Sequence, residues 1–246
     1  MDEISQSLLT AQNKAEALFN EVVNSGMICA GKLESELTAE IHELARKRFG
    51  LRRHWHQRIA RAGPNTLLTY GDPSLDRRIA GDDVVYLDFG PVFDSWEADF
   101  GRTYALGADP DKHRLVDDIA DAFKRGKELY QTSPKLSCGE LYDFVAGLAQ
   151  PAGWEFGAST AGHLIGHFPH ERAPKHPERF SIRHGNDLLL REPDGLGKAR
   201  HWILEIHFVD RARQIGGFFE ELLTVDPDFG QCAQLLPPTE GESLAG

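Results

Sequence analysis

The sequence predicts an α+β fold, in which two antiparallel β-hairpins carry pairs of acidic residues and amphipathic helices pack behind them. The first observation is a pair of strand-like segments within residues 84–104, rich in β-branched and aromatic residues. The second is a similar pair within residues 203–225. The third is a set of segments with apolar residues at helical spacing, which includes residues 4–25, 34–49 and 111–130.

Glycines and a capping sequence set the expected helix boundaries. Gly26 is placed to close the first helix, and Gly50 follows the second. The segment Ser137-Cys138-Gly139-Glu140 has the serine and glutamate spacing of a capping box, which predicts the start of a fourth helix there. We expect these helices to cover the outer face of the sheet.

The first hairpin is expected to turn near Phe93–Ser95 and to carry Asp88 and Asp99. The two aspartates are eleven residues apart. In a hairpin with an even-numbered loop, an odd separation places both side chains on one face. Burying two unpaired carboxylates together would cost several kcal/mol. The pattern therefore predicts a cation between them.

The second hairpin repeats this arrangement with Glu205 and Glu220. These residues are fifteen apart, which is again an odd separation. The Gly216-Gly217 pair could carry a β-bulge, which would shift the register by one residue and bring in Glu221 instead. We favour Glu220 and keep Glu221 as the alternative.

A histidine-rich segment, residues 162–171, lies between the two hairpins and contributes imidazole side chains. Four carboxylates and one histidine form a set of oxygen ligands plus a nitrogen. Four negative charges are balanced by about two divalent ions, so charge balance predicts a dinuclear site. These ligand types suit Mn, Fe, Co or Zn, and we place manganese first.

The order of these residues resembles that of the pita-bread metallopeptidases, a family that includes methionine aminopeptidases, proline-specific aminopeptidases and dipeptidases, and creatinase. The matching pattern is Asp88 and Asp99, then Gly162-His163-Leu164-Ile165-Gly166, then one glutamate on each of two strands. It covers roughly residues 34–225. The resemblance implies a curved, mainly antiparallel sheet that holds its metal ligands on the concave face.

The resemblance also implies roles for individual residues. The implied metal ligands are Asp88, Asp99, His163, Glu205 and Glu220. The implied catalytic residues are Glu205 as the proton carrier, His163 on one metal, and His170, which would contact the scissile group and stabilise the oxyanion. A small peptide or amide is the implied substrate, and a homodimer is the implied assembly.

The sequence departs from the family near residue 70, where a histidine that binds substrate or moves protons is expected. This chain has Tyr70 there, or Thr69 if the register slips by one, on a predicted short strand from Leu67 to Tyr70. A phenol has a pKa of about 10, so it is a poor base at neutral pH.

Three further histidines are candidates for the same region, and His54 or His56 could fill the gap left by the missing histidine. His54 and His56 form an HxH pair, and on a strand both rings would share one face, which metal sites can use. Direct ligation, pocket lining and a structural role all stay open for this pair. His207, two residues past Glu205, should share its face. The predicted substrate-binding residues are His170, Tyr70, His207 and His56.

Composition limits the other possibilities. The 246 residues predict one catalytic domain over 1–226 and a polar tail over 227–246. The net charge of −11 disfavours nucleic acid and anionic membranes as partners. Three scattered cysteines and an N-terminus without an apolar core predict a reduced, cytoplasmic protein.

The sequence thus predicts a dinuclear metal-dependent hydrolase of peptide or amide bonds, similar to an aminopeptidase or an Xaa-Pro peptidase. Two alternatives are kept. Tyr70 and His207 favour a different C–N cleavage of a small metabolite, as in creatinase. An inactive binding module on the same fold is the second alternative, although such proteins usually lose ligands.

Overall fold

The computed structural model describes residues 2–169 and 177–225. It contains the four predicted helices, which are α1 (Glu3–Asn24), α2 (Glu34–Phe49), α3 (Pro110–Thr132) and α4 (Cys138–Gly147). Gly50 adopts the left-handed conformation that closes α2, and the Ser137–Glu140 capping box starts α4 as predicted. Among the described helices, none combines the length and apolar character needed to cross a membrane.

Nine strands are described, and seven of them form one antiparallel sheet. They are β1 (Ile59–Ala62), β2 (Val84–Phe89), β3 (Val92–Phe93), β4 (Trp96–Glu97), β5 (Phe100–Ala105), β6 (Glu155–Phe156), β7 (Leu164–Ile165), β8 (His201–Asp210) and β9 (Ile215–Leu222). The order in the large sheet is β1-β2-β5-β9-β8-β6, and β7 also pairs with β8. β3 and β4 form a separate two-stranded sheet.

The two predicted hairpins are both present, with one refinement in the first. β8 and β9 pair continuously, and β2 pairs with β5. The tip of the first hairpin is the small β3–β4 sheet, which turns at Asp94 and Ser95, both with positive φ. Gly90-Pro91 interrupts the pairing between these two parts, because proline has no amide hydrogen to contribute to a ladder.

The helices pack on the face of the sheet opposite to the acidic residues. Side chains alternate along a strand, so the residues on either side of each acidic position point away from it. Phe89 and Phe100 are such neighbours, and both contact Phe19 of α1 edge-to-face, with ring centroids 5.8 and 4.9 Å away. Leu204 and Ile206 of β8 pack in the same way into the core formed with α3 and α4.

The predicted strand over Leu67–Tyr70 is absent from the described structure. Residues Gly63–Leu67 form a 3-10 helix with proline in its first turn. A tight turn follows, because the Asp72 carboxylate accepts hydrogen bonds from both the amide and the hydroxyl of Thr69 at 2.7 and 2.8 Å. The strand in this region is instead β1, which pairs with β2.

The remaining organisational predictions stay predictions. The domain boundary at residue 226 and the tail over 227–246 lie outside the described residues. Cys29 and Cys138 are free thiols, and the third cysteine, Cys232, is also outside the described part of the chain.

Candidate metal centre

Four carboxylates converge on one face of the sheet. In the β8–β9 pair, Glu205 lies directly opposite Glu220, and Gly101 of β5 is aligned both with Asp88 on one side and with Glu220 on the other. Asp99 lies just before β5, two residues from Gly101. Asp88, Asp99 and Glu220 are buried, with 6%, 3% and 2% of their surface exposed. The predicted facing of the carboxylates in both hairpins is confirmed.

The junction between β5 and β9 brings the two hairpins together. A Cβ atom at Gly101 would lie 2.6 Å from the Phe218 ring, so only glycine allows this approach. The Thr103 hydroxyl donates to the Phe218 carbonyl and accepts from its amide, both at 2.7 Å. These bonds hold β9, and with it Glu220, against the strand that follows Asp99.

The alternative register with Glu221 is wrong. Glu220 faces Glu205 on the acidic side of the sheet, whereas the Glu221 carboxylate accepts a hydrogen bond from Arg102 on the opposite side. The Arg102 guanidinium also stacks on Phe100 and Phe219, at 3.9 and 3.8 Å from their centroids.

His163 is held close to these carboxylates by its backbone neighbours. Gly162 has a φ of +133°, and a Cβ atom there would lie 2.0 Å from the Ile203 carbonyl oxygen. This close approach lets the Ile203 amide donate to the His163 carbonyl at 2.9 Å. The His163 Nε2 atom lies 3.1 Å from Asp99 Oδ2 and 3.5 Å from Glu205 Oε1.

His54 and His56 do not share a face, and this prediction is wrong. His54 forms only an isolated bridge with Pro91, and residues 55 and 56 form a bend, so the strand alternation that would align the rings does not apply. His56 enters the acidic cluster, with Nε2 2.9 Å from Asp99 Oδ1. His54 instead packs against Phe89 and against His42 of α2, with ring centroids 5.9 and 5.5 Å away.

The charges in this cluster are strongly coupled. Burial raises the pKa of Asp88 and of Glu205 to about 7, and burial also raises that of Glu220 well above its usual range. Burial alone would raise the pKa of Asp99 as well, but His56 and His163 hold it below its usual range. Burial disfavours the charged forms of both imidazoles, but the carboxylates outweigh it and raise each pKa to about 9.

The donor set fits divalent metal ions. The Glu220 Oε2 atom is buried without a hydrogen-bond partner, which is costly unless a cation or proton is supplied. His163 donates from Nδ1 to the Leu164 carbonyl at 2.7 Å, which leaves Nε2 as the lone-pair nitrogen for a metal. Ligand atoms within 4.8 Å of one another occur in two groups that share Asp99, namely His56, Asp88 and Asp99, and Asp99, His163 and Glu220.

A cavity of about 720 Å³ opens over the carboxylates. Tyr70 and His207, for which substrate contacts remain predictions, line this cavity, and Tyr70 is 54% exposed. His207 is buried, and its Nε2 atom donates to the Thr66 carbonyl at 2.9 Å. His170, predicted to be a catalytic and substrate-binding residue, lies outside the described residues.

The sequence left the role of His56 open between metal ligation, pocket lining and structure, and it did not predict the contact with Asp99. The two residues are 43 positions apart, and no periodicity relates them. One local signal exists. A Cβ atom at Gly90 would lie 2.1 Å from the His56 ring, so a glycine directly after β2 leaves room for an aromatic neighbour.

Known proteins with the same fold include proline-specific peptidases. The X-Pro aminopeptidase from Thermotoga maritima superposes with a TM-score of 0.73 at 23% identity, over 92% of this chain and 62% of that chain. The prolidase from Pyrococcus furiosus gives a TM-score of 0.71 at 20% identity, again over 92% of this chain and 62% of that chain. This likeness confirms the α+β, pita-bread fold.

Curated relatives found by sequence similarity are also peptidases. An Xaa-Pro dipeptidase from Lactobacillus helveticus is 27% identical over 72% of this chain and 46% of its own length. A methionine aminopeptidase from Rickettsia prowazekii is 27% identical over 52% of this chain and 48% of its own. The chain thus spans about half the length of the curated relatives it matches. Since the family model for metallopeptidase family M24 matches residues 6–195, the chain belongs to that family.

Proposed function

We propose that this chain is a metal-dependent peptidase that holds two divalent ions with Asp88, Asp99, His163, Glu205 and Glu220. The main support is that these side chains converge at the cavity, where the buried Oε2 atom of Glu220 has no hydrogen-bond partner. Family membership supports a hydrolytic role for such a cluster. Four carboxylates and one imidazole suit Mn, Fe, Co or Zn, and manganese remains the first candidate.

Glu205 is the residue best placed to carry a proton between the two halves of the reaction. A bound pair of divalent ions supplies a nucleophile at neutral pH and polarises the substrate carbonyl. The Glu205 side chain is 18% exposed, whereas those of Asp88 and Asp99 are 9% and 3% exposed. Glu205 can therefore accept a proton at the cavity surface and return it to the leaving amine.

The other predicted residues have distinct parts in this proposal. His163 is oriented by its Nδ1–H bond to Leu164, which fixes the tautomer that a ligand requires. Tyr70 and His207 would form a wall that contacts the substrate. Stabilisation of the oxyanion by His170 rests on the sequence pattern alone.

Short peptides are the proposed substrates. A cavity of about 720 Å³ lies within the range of small-ligand sites, about 300–1,000 Å³. The names of the relatives make Xaa-Pro dipeptides the first compounds to try, followed by longer peptides with a free N-terminus. Tyr70 keeps a second candidate open, the C–N cleavage of a small non-peptide amide or guanidino compound.

Glu220 and Glu221 lie on opposite faces of β9, so replacing each in turn tests the proposal. We expect about two metals per chain in the parent protein by elemental mass spectrometry, fewer in Glu220→Gln, and an unchanged number in Glu221→Gln. Hydrolysis of Xaa-Pro dipeptides should follow metal content across these variants, and a panel of small amides and guanidino compounds tests the second candidate. Full metal loading of Glu220→Gln, or peptide hydrolysis by metal-free protein, would contradict the proposal.

A further inference from the structure

His56 provides a second imidazole that the five-ligand set does not include. Its side chain is 7% exposed, and its Nε2 atom lies 2.9 Å from Asp99 Oδ1 and 3.5 Å from Asp88 Oδ1. It comes from the segment before β1, far in sequence from either hairpin. The five-ligand set does not explain why this ring is buried among carboxylates.

His56 repeats the arrangement of His163 across Asp99. His163 approaches Asp99 Oδ2 at 3.1 Å, and His56 approaches Asp99 Oδ1 at 2.9 Å. Each ring also has a second carboxylate at 3.5 Å, which is Glu205 for His163 and Asp88 for His56. The two rings therefore flank one aspartate, one ring at each of its oxygens.

The hydrogen bonds of the two rings fix the same tautomer. His56 Nδ1 lies 2.6 Å from the Gln57 carbonyl oxygen, which can only accept, so Nδ1 carries the proton. In the neutral ring Nε2 is then an acceptor that faces two carboxylates. This contact is repulsive unless a proton or a metal ion lies between the groups. Donation from the second ring nitrogen to a backbone carbonyl is the usual arrangement of a metal-bound histidine.

The spacing of the donor atoms suits a shared ion. Two ligand atoms about 2.1 Å from one ion lie about 3.0 Å apart at a right angle and about 3.4 Å apart at a tetrahedral angle. The distances from His56 Nε2 to Asp99 and Asp88, 2.9 and 3.5 Å, lie within about 0.1 Å of these two values. We propose that His56 is a ligand of the ion held by Asp88 and Asp99, so that each ion of the pair has one imidazole. This inference rests on the metal site of the proposed function.

The surrounding residues hold the His56 ring in this position. Trp55 contacts the rings of both His56 and His163, with centroids 4.5 and 5.4 Å away, and its Nε1 atom donates to the Ala98 carbonyl at 3.0 Å. The missing side chain at Gly90 leaves the space that the His56 ring fills. A second nitrogen donor also shifts the preference of the site from manganese toward Fe, Co or Zn.

Proton NMR of the Co(II)-loaded protein tests the proposal without measuring activity. Ring N–H protons of imidazoles bound to Co(II) are strongly shifted, and those of His56 and His163 are held by hydrogen bonds to carbonyls. We expect two such exchangeable signals in the parent protein, one in His56→Ala and one in His163→Ala. A parent protein with two cobalt ions and one signal, unaffected by His56→Ala, would overturn the role of His56 and leave the proposed function standing. A parent protein that binds no cobalt would overturn both.

Calorimetric titration with Co(II) gives a second measurement. His56→Ala should weaken one of the two binding events by about tenfold or more and leave the other in place. Tyr70→Phe is the matched control, because the Tyr70 ring packs 5.5 Å from His56 and its hydroxyl accepts from the Gln57 amide at 3.2 Å, so the change removes a neighbouring contact but no nitrogen donor. Circular dichroism establishes that each variant is folded. Unchanged affinity for both ions in folded His56→Ala would overturn the proposed ligation by His56.

Discussion

Gly90→Ala tests the arrangement of the metal centre without altering any ligand. A Cβ atom at this position would lie 2.1 Å from His56 Cδ2 and 2.4 Å from both His56 Nε2 and Trp55 Nε1. Gly90 is not among the residues with positive φ, so an alanine meets no backbone strain there. The effect of the substitution is therefore the displacement of neighbouring rings.

The size of this displacement follows from the contact distance. Non-bonded carbon atoms settle about 3.5 Å apart, so the His56 ring must retreat by about 1.4 Å from its position 2.1 Å from the new atom. Metal–ligand distances tolerate about 0.2 Å. We therefore expect one ion to bind about tenfold more weakly or to be lost. Overpacking should also lower the free energy of unfolding by about 1–3 kcal/mol.

Metal titration and urea unfolding measure these two effects separately. Gly147→Ala is the control, because no atom lies within 4 Å of its added Cβ and the position ends α4. It should keep both ions and raise the free energy of unfolding by up to about 1 kcal/mol. If folded Gly90→Ala bound two ions with the affinity of the parent protein, the inferred contact between His56 and the metal would be refuted.

Three further predictions concern pH, chelation and His207. Because burial raises the pKa of Asp88 and Glu205 to about 7, their contribution to metal-free stability is present below about pH 4 and lost as pH rises through 7. Urea unfolding should show this decline, and a flat profile would contradict it. A chelator should lower the melting temperature more at pH 8 than at pH 6, since ions bind the deprotonated carboxylates; an equal shift would argue against ligation. His207→Phe should cost about 1–3 kcal/mol in urea unfolding, because the Thr66 carbonyl loses its donor; unchanged stability would exclude that role.

The acidic cluster was predictable because strand pairing is periodic. An odd separation in an antiparallel hairpin fixes which side chains share a face, whatever the rest of the fold does. This reasoning was sufficient to place Glu205 and Glu220 on one face and to prefer Glu220 over Glu221, and the structure adds that the two are direct partners. Helix boundaries were equally local, since Gly50 and the Ser137 capping box act within one turn.

The short segments between α2 and β2 were less predictable, because side chains there override the backbone pattern. Leu67–Tyr70 has the composition of a strand, yet the Asp72 carboxylate captures the Thr69 amide and turns the chain. The HxH pair does not form a strand either. Its backbone forms only isolated contacts, with the Trp55 amide donating to the Gly90 carbonyl at 2.8 Å.

The position of His56 also bears on the departure at Tyr70. By position in the chain, Tyr70 stands where the resemblance to the family implies a histidine, which favours altered chemistry. In space, the His56 ring lies 5.5 Å from the Tyr70 ring and reaches the same acidic cluster from a different segment. An imidazole is thus present beside residue 70 although the sequence lacks one there. Since the chemistry of a site depends on which atoms meet, Tyr70 alone is weak evidence against peptidase activity.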